Sequence, residues 1–79
     1  MKNHLNHTDL HDVSQLKDGT YSWRTRGDSF RAFVSGPTVQ TEYHDGTAWD
    51  VMPIQTKQEL LIFIHEDTIG KIQFEGKSK

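Results

Sequence analysis

A chain of 79 residues is long enough for one domain with a single small core, because individual domains usually organise about 100–150 residues. It contains no cysteine, which excludes disulfide bridges, zinc–thiolate sites, iron–sulfur clusters and thiol catalysis. A net charge of −2 excludes the strongly basic surface of a general nucleic-acid binder and the densely acidic surface of a nucleic-acid mimic.

The composition also predicts a soluble, cytoplasmic protein without membrane contact. The first ten residues lack the apolar segment of a secretory signal. The longest apolar run, 60–64, is far shorter than the roughly 20 residues of a membrane-spanning helix. Small secreted domains usually depend on disulfides, which this chain cannot form. We expect residues 1–79 to form one domain, with flexible ends at 1–5 and 76–79.

Residues 7–17 predict a short N-terminal helix. Asn6 can cap its first turn, and an apolar residue recurs at every third position from Leu10 to Leu16. Gly19 then provides a typical helix end.

Residues 20–52 predict a meander of four antiparallel strands, in which turn residues separate segments of alternating polarity. A two-residue loop at Gly27-Asp28 sets the register of the first hairpin. This register forms three pairs on the apolar face: Thr25 with Phe30, Trp23 with Ala32 and Tyr21 with Val34. It also places Arg24 directly opposite Arg31 on the other face.

The second hairpin is predicted to turn at Gly36-Pro37. Its register forms three pairs on the same apolar face: Val34 with Val39, Ala32 with Thr41 and Phe30 with Tyr43. Arg31 then lies opposite Glu42, where the two side chains can form a cross-strand ion pair.

The third turn, near His44-Asp45-Gly46, decides which side of the sheet Trp49 occupies. A two-residue loop would place Asp50 on the core face, whereas a three-residue loop with a left-handed Gly46 places Trp49 and Val51 there. Burial of an unpaired carboxylate is costly. We therefore predict the three-residue loop, with Trp49 and Val51 in the core.

The segment Thr56-Lys57-Gln58-Glu59 has the pattern of a capping box, which predicts a helix over 57–66. The alternative is a strand, because Ile62-Phe63-Ile64 favours extended structure and could pair with residues 71–74. The capping pattern favours the helix. Residues 71–75 then predict a last strand at an edge of the sheet.

These elements predict an α+β fold. A single-layer antiparallel meander of four or five strands is covered on one face by the helix at 57–66, with the short N-terminal helix beside it. The predicted core comprises Tyr21, Trp23, Phe30, Val34, Val39, Tyr43, Trp49, Val51, Leu60, Phe63, Ile64, Ile72 and Phe74.

His7 and His11 are weak candidates for metal ligands, because an i, i+4 spacing on a helix lets two imidazoles reach one ion. Such short spacings recur by chance. The sequence contains neither a nucleophile elbow nor a glycine-rich phosphate loop. We therefore predict a non-catalytic protein without a metal or cofactor.

The outer face of the first hairpin is the predicted binding surface. Arg24, Arg31 and Phe33 project from it, with Arg26 near its tip, and Glu42 on the next strand can neutralise Arg31. The alternative is an ordinary solvated sheet face with one ion pair. Arginine and aromatic residues are enriched at interface hot spots, and arginine also suits carboxylates and phosphates.

Three classes of function follow. The leading hypothesis is a protein-binding module, docking through this face or the edge at 71–75. In general character, without any shared motif, it is similar to accessory proteins of bacteriophages and mobile elements that inhibit host proteins. The second is a binder of nucleotide or single-stranded nucleic acid, with Phe33 as a stacking platform. The third is a small histidine-dependent metal protein or enzyme. A homo-oligomer would add buried surface to so short a chain.

Overall fold

The computed structural model describes residues 2–66 and 71–76, which form an antiparallel sheet with one α-helix on one face. This confirms a small α+β domain, with six strands in the described part rather than four or five. Their order across the sheet is β1-β6-β2-β3-β4-β5. The elements are β1 Lys2–Asn6, β2 Gly19–Thr25, β3 Asp28–Ser35, β4 Thr38–His44, β5 Trp49–Met52, α1 Lys57–Glu66 and β6 Lys71–Gly76.

The N-terminal segment contains a strand and two 3₁₀ turns instead of the predicted helix. Residues 2–5, for which the sequence predicts a flexible end, belong to β1 and pair with β6. The turns are His7–Asp9 and Val13–Gln15. Asp12 caps the second turn by accepting a hydrogen bond from the Ser14 amide at 2.8 Å. This local hydrogen bond competes with the continuous helix predicted for 7–17. Of the predicted flexible end at 76–79, Gly76 belongs to β6, and residues 77–79 lie outside the described part.

The first hairpin differs from its predicted register by two residues. Its loop is Arg26-Gly27, with positive φ angles of 53° and 85°, and Trp23 therefore faces Phe30. Two-residue hairpin loops favour positive φ at both positions, and here a non-glycine residue takes the first. Because the shift is an even number, every side chain keeps its predicted face.

The second hairpin has the predicted register throughout. Val34 faces Val39, Ala32 faces Thr41 and Phe30 faces Tyr43. Arg31 lies opposite Glu42, as expected.

The last strand is not at an edge. β6 lies between β1 and β2, with Gly19 opposite Gly76. At position 19 a Cβ atom would lie 2.5 Å from the Glu75 carbonyl oxygen, and the residue has a φ of +148°. Glycine is required here by the close approach of β6 to β2.

The core lies between the sheet, α1 and the segment with the 3₁₀ turns. Most predicted core residues are buried or pack against the core, but Trp49 and Val51 are exposed. Four apolar residues outside the predicted core list are also buried, namely Leu10, Leu16, Ala32 and Ile54, as is the polar Thr41. His65 on α1 contacts the Leu10 carbonyl through Nε2, linking the helix end to the N-terminal segment.

The predicted helix at 57–66 is confirmed, and the capping pattern explains its start. The Glu59 amide donates to Thr56 Oγ1 at 3.1 Å, while the Glu59 carboxylate accepts from the Gln55 amide at 3.1 Å. The first contact satisfies a backbone donor that the first turn leaves unpaired, and the second ties the residue before the cap to the helix. Leu60 and Ile64, one turn apart, are buried in the core, and Leu61 and Phe63 pack against it.

We expect Thr56→Ala to lower the free energy of unfolding by about 1 kcal/mol, because the helix loses its capping hydroxyl. Urea denaturation followed by circular dichroism measures the change. Thr56→Ser keeps the hydroxyl and serves as the control. A stability of Thr56→Ala equal to that of Thr56→Ser would contradict the role assigned to the cap.

We expect alkaline pH to weaken the fold through Tyr21, whose hydroxyl donates to the Lys17 carbonyl at 2.7 Å. Burial raises the pKa of Tyr21 from 10.0 to about 12. The stability that this neutral phenol contributes is present below pH 10.0 and is lost as the pH rises toward about 12. Thermal melts across this range should show Tyr21→Phe less stable at pH 8, with the difference shrinking as the pH rises. A constant difference would contradict the assignment.

Candidate partner-binding face

The sheet face opposite α1 is not covered by any element of residues 2–66 and 71–76. We call it the outer face. The helix and the buried side chains belong to the other face. Strand pairing places the following side chains, among others, on the outer face: His4, Thr20, Ser22, Arg24, Ser29, Arg31, Phe33, Gln40, Glu42, His44, Trp49, Val51, Lys71, Gln73 and Glu75.

Arg31 lies at the centre of this face, on β3. Its Nε donates to Glu42 Oε1 on β4 at 2.7 Å. Gln40 Nε2 donates to the other carboxylate oxygen, Glu42 Oε2, at 2.8 Å. The hydrogen bonds from Arg31 and Gln40 lower the pKa of Glu42 below its ordinary value. The carboxylate is therefore held in its charged form and fixes the guanidinium from one side.

Two aromatic rings flank the same guanidinium. The Arg31 Cζ atom lies 3.8 Å from the centroid of the Trp49 ring and 5.3 Å from that of Phe33. Both distances fall within the range of cation–π contacts. Trp49 and Phe33 each remain 37% exposed. We call Arg31, Phe33, Glu42 and Trp49 the arginine cluster.

The position of Trp49 corrects the sequence prediction. β4 and β5 are joined by the four residues 45–48, so Trp49 faces His44 and Asp50 faces Tyr43. Asp50 thus lies on the α1 side of the sheet, but it is exposed because β5 is an edge strand. The prediction of a buried Trp49 depended on the cost of burying the Asp50 carboxylate, and the exposed Asp50 does not have that cost.

The loop itself is stabilised by Asp45. Its Oδ1 accepts hydrogen bonds from the Thr47 amide at 2.9 Å, the Thr47 hydroxyl at 2.7 Å and the Ala48 amide at 3.2 Å. The hydroxyl and amides of these neighbours lower the pKa of Asp45 to about 2. An aspartate two residues before a threonine is the sequence signal that could have indicated this longer turn.

His44 connects the loop to the arginine cluster. Its Nδ1 accepts a hydrogen bond from the Gly46 amide at 3.1 Å, which requires an unprotonated Nδ1. Its ring meets the Trp49 ring edge-on at 5.2 Å between centroids. His44 thus helps to hold Trp49 above Arg31.

A concavity of about 540 Å³ lies on the same face, next to the arginine cluster. Arg24 and Lys71 line it together with Trp49. Ser22, Ser29, Gln73 and His4 add polar groups to the lining, and Trp23 and Phe30 add apolar surface; none of its described residues carries a carboxylate. Among residues 2–66 and 71–76, neither Arg24 nor Lys71 forms an ion pair.

The structure brings together some of the predicted site residues and separates others. Arg31, Phe33 and Glu42 form one cluster. Arg24 faces Ser29 rather than Arg31, because of the shifted register. Arg26 lies in the exposed loop of the first hairpin. The sequence analysis did not place Lys71 or Trp49 on this face. The position of Lys71 depends on the pairing of β6 with β2, and that of Trp49 depends on the length of the third turn.

The predicted helical arrangement of His7 and His11 is absent. His7 belongs to a 3₁₀ turn that ends at Asp9, and its side chain is outside the described part, while His11 is exposed. Among the side chains that are described, no group of three or more histidine and acidic residues could hold a metal ion.

Comparison with protein-family models, curated proteins and solved structures finds no match. The geometry of the outer face is therefore the basis for interpreting its function. Within the described ranges, no helix has both the length and the apolar character needed to cross a membrane.

We expect Arg31→Gln to raise the pKa of Glu42 toward its ordinary value, because the strongest hydrogen bond to the carboxylate is lost. Titration of the Glu42 carboxyl carbon by NMR measures this change. Arg24→Gln removes an outer-face cation that has no carboxylate partner among the described residues and should leave the titration unchanged. An unchanged Glu42 titration in Arg31→Gln would contradict the observed ion pair.

Proposed function

We propose that this chain is a non-catalytic protein-binding module whose outer face docks on a protein partner that presents an acidic segment beside apolar side chains. The observation that carries the proposal is the arginine cluster. A guanidinium is held between a carboxylate and two half-exposed aromatic rings, on a sheet face that the described elements leave uncovered.

The apolar part of this face supports protein docking. Phe33 and Trp49 are each 37% exposed, and Val51 on the edge strand is 66% exposed. Burial of apolar surface drives most protein association, and tryptophan and arginine are enriched among residues that dominate binding energy. The aliphatic Val51 beside the rings favours a protein surface over a ligand recognised by stacking alone.

The order within the cluster also supports this function. Arg31 is fixed by its contacts with Glu42 and Trp49 before any partner arrives. Ordering a long, flexible side chain at an interface costs about 0.5–1.5 kcal/mol. A pre-arranged arginine reduces that cost, which is the behaviour expected of a binding hot spot.

Charge supports an acidic partner. Arg24 and Lys71 have no ion pair within the described part of the chain, and Arg31 is the outer-face cation already matched by a carboxylate. Acidic side chains on the partner would complement the free cations and steer association.

Binding of a nucleotide or single-stranded nucleic acid is the second candidate. The cations Arg24 and Arg31 near the Trp49 ring favour it, since stacking and phosphate contacts use these residue types. Glu42 and Glu75 on the same face oppose a phosphate backbone that crosses the sheet. Docking on a host protein would modulate that protein, in the way that accessory proteins of bacteriophages and mobile elements act.

We expect Trp49→Ala and Phe33→Ala to weaken the complex by roughly 10-fold or more, because a buried aromatic hot spot contributes about 2 kcal/mol. The protein is used as bait in extracts of its native host, and the purified partner is then titrated by calorimetry. Ile62→Ala is the matched control, since Ile62 on α1 is 50% exposed and lies away from the outer face.

Thermal melts control for loss of stability, and we expect Trp49→Ala and Phe33→Ala to unfold at the same temperature as Ile62→Ala. Equal affinity of these variants and the wild type would refute docking through the outer face. If affinity falls steeply with salt and a single-stranded oligonucleotide competes, the nucleic-acid hypothesis replaces the protein-binding one.

A further inference from the structure

We propose that the concavity lined by Arg24 and Lys71 is a carboxylate subsite, which receives a glutamate or aspartate side chain of the partner's acidic segment. We call it the Arg24–Lys71 subsite. This inference rests on the proposed function and specifies what the partner must present beside the residue that packs on Trp49.

The polar part of the lining points to a single anion, while Trp23, Phe30 and Trp49 supply its apolar part. Two cations, Arg24 and Lys71, come from different strands, β2 and β6, and line the same concavity of about 540 Å³. The hydroxyl groups of Ser22 and Ser29 and the amide of Gln73 provide neutral hydrogen-bond donors. None of the described residues of the lining is an aspartate or a glutamate. An incoming carboxylate therefore meets donors and positive charge with no competing carboxylate among these residues.

The other arginines of the predicted surface are different. Arg31 already donates to Glu42 at 2.7 Å. Arg26 lines a separate concavity at the hairpin end, together with Asp28. Two neighbouring cations without a carboxylate repel each other and destabilise the free protein slightly. A bound carboxylate removes this repulsion, so binding and stability are coupled at this subsite.

The surroundings favour a carboxylate over a chain of phosphates. Trp49 forms part of the same lining, so an acidic residue with an apolar neighbour fits the subsite and the ring together. Glu42 and Glu75 lie on the same outer face. A phosphate backbone crossing the sheet would meet these charges, whereas one carboxylate between Arg24 and Lys71 would not.

The test uses a hexaglutamate peptide, a neutral hexaglutamine peptide and a six-nucleotide oligothymidylate, each titrated into the whole chain. Amide chemical shifts in NMR spectra report the position and affinity of binding. We expect hexaglutamate to shift the amides of Ser22, Arg24, Lys71 and Gln73, and hexaglutamine to shift none of them. Arg24→Gln and Lys71→Gln should each weaken hexaglutamate binding about 5-fold or more, as expected for a charge-assisted hydrogen bond.

Arg26→Gln is the matched control, because it removes the same charge outside the subsite and should leave the affinity unchanged. Arg24→Lys keeps the charge and should retain most of the binding. The unliganded spectrum of each variant shows whether it is folded, and the charge-retaining variant tests the subsite independently.

Three results would overturn the subsite: equal binding of hexaglutamate and hexaglutamine, an equal loss in Arg26→Gln, or tighter binding of the oligothymidylate than of hexaglutamate. Titration of the captured partner separates this failure from that of the proposed function. If Trp49→Ala no longer binds the partner while Arg24→Gln and Lys71→Gln still bind it, docking through the outer face is supported and the subsite is refuted.

Discussion

Side chains alternate between two faces along β3, and this alternation divides the molecule into a buried and an exposed half. Ala32 and Val34 lie in the core, whereas Arg31 and Phe33 belong to the outer face. β3 pairs along its length with β2 and β4, so a slip of one residue would bury the Arg31 guanidinium and expose Ala32. The register of β3 therefore maintains the core and the arginine cluster together.

The arginine cluster joins residues that are distant in the chain. Arg31 and Phe33 come from β3, Glu42 from β4 and Trp49 from the edge strand β5. Each contact limits the motion of the next, because Glu42 fixes the guanidinium and the guanidinium supports the Trp49 ring. An open sheet face thus gains a defined arrangement of charge and aromatic surface. That arrangement is the physical basis of the proposed docking.

The successful and unsuccessful sequence predictions have separate physical causes. The β3–β4 register followed from the turn chemistry of Gly36-Pro37, and the start of α1 followed from the Thr56 capping box. The prediction of an N-terminal helix is wrong because Asp12 forms a local cap that favours a 3₁₀ turn. The sequence predicts Trp49 in the core because the alternative register puts Asp50 on the core face, but an edge strand leaves that carboxylate in water.

The sequence by itself determined which residues of β2, β3 and β4 share a face, and therefore the outward positions of Arg24, Arg31 and Phe33. Period-two alternation and turn residues are local properties, so they can be read without the rest of the fold. The tertiary structure alone decided the neighbours across the sheet. The insertion of β6 beside β2 brought Lys71 to the concavity of Arg24, and the edge position of β5 leaves Asp50 in water, so that Trp49 can lie over Arg31. Both depend on long-range strand order, which local patterns do not encode.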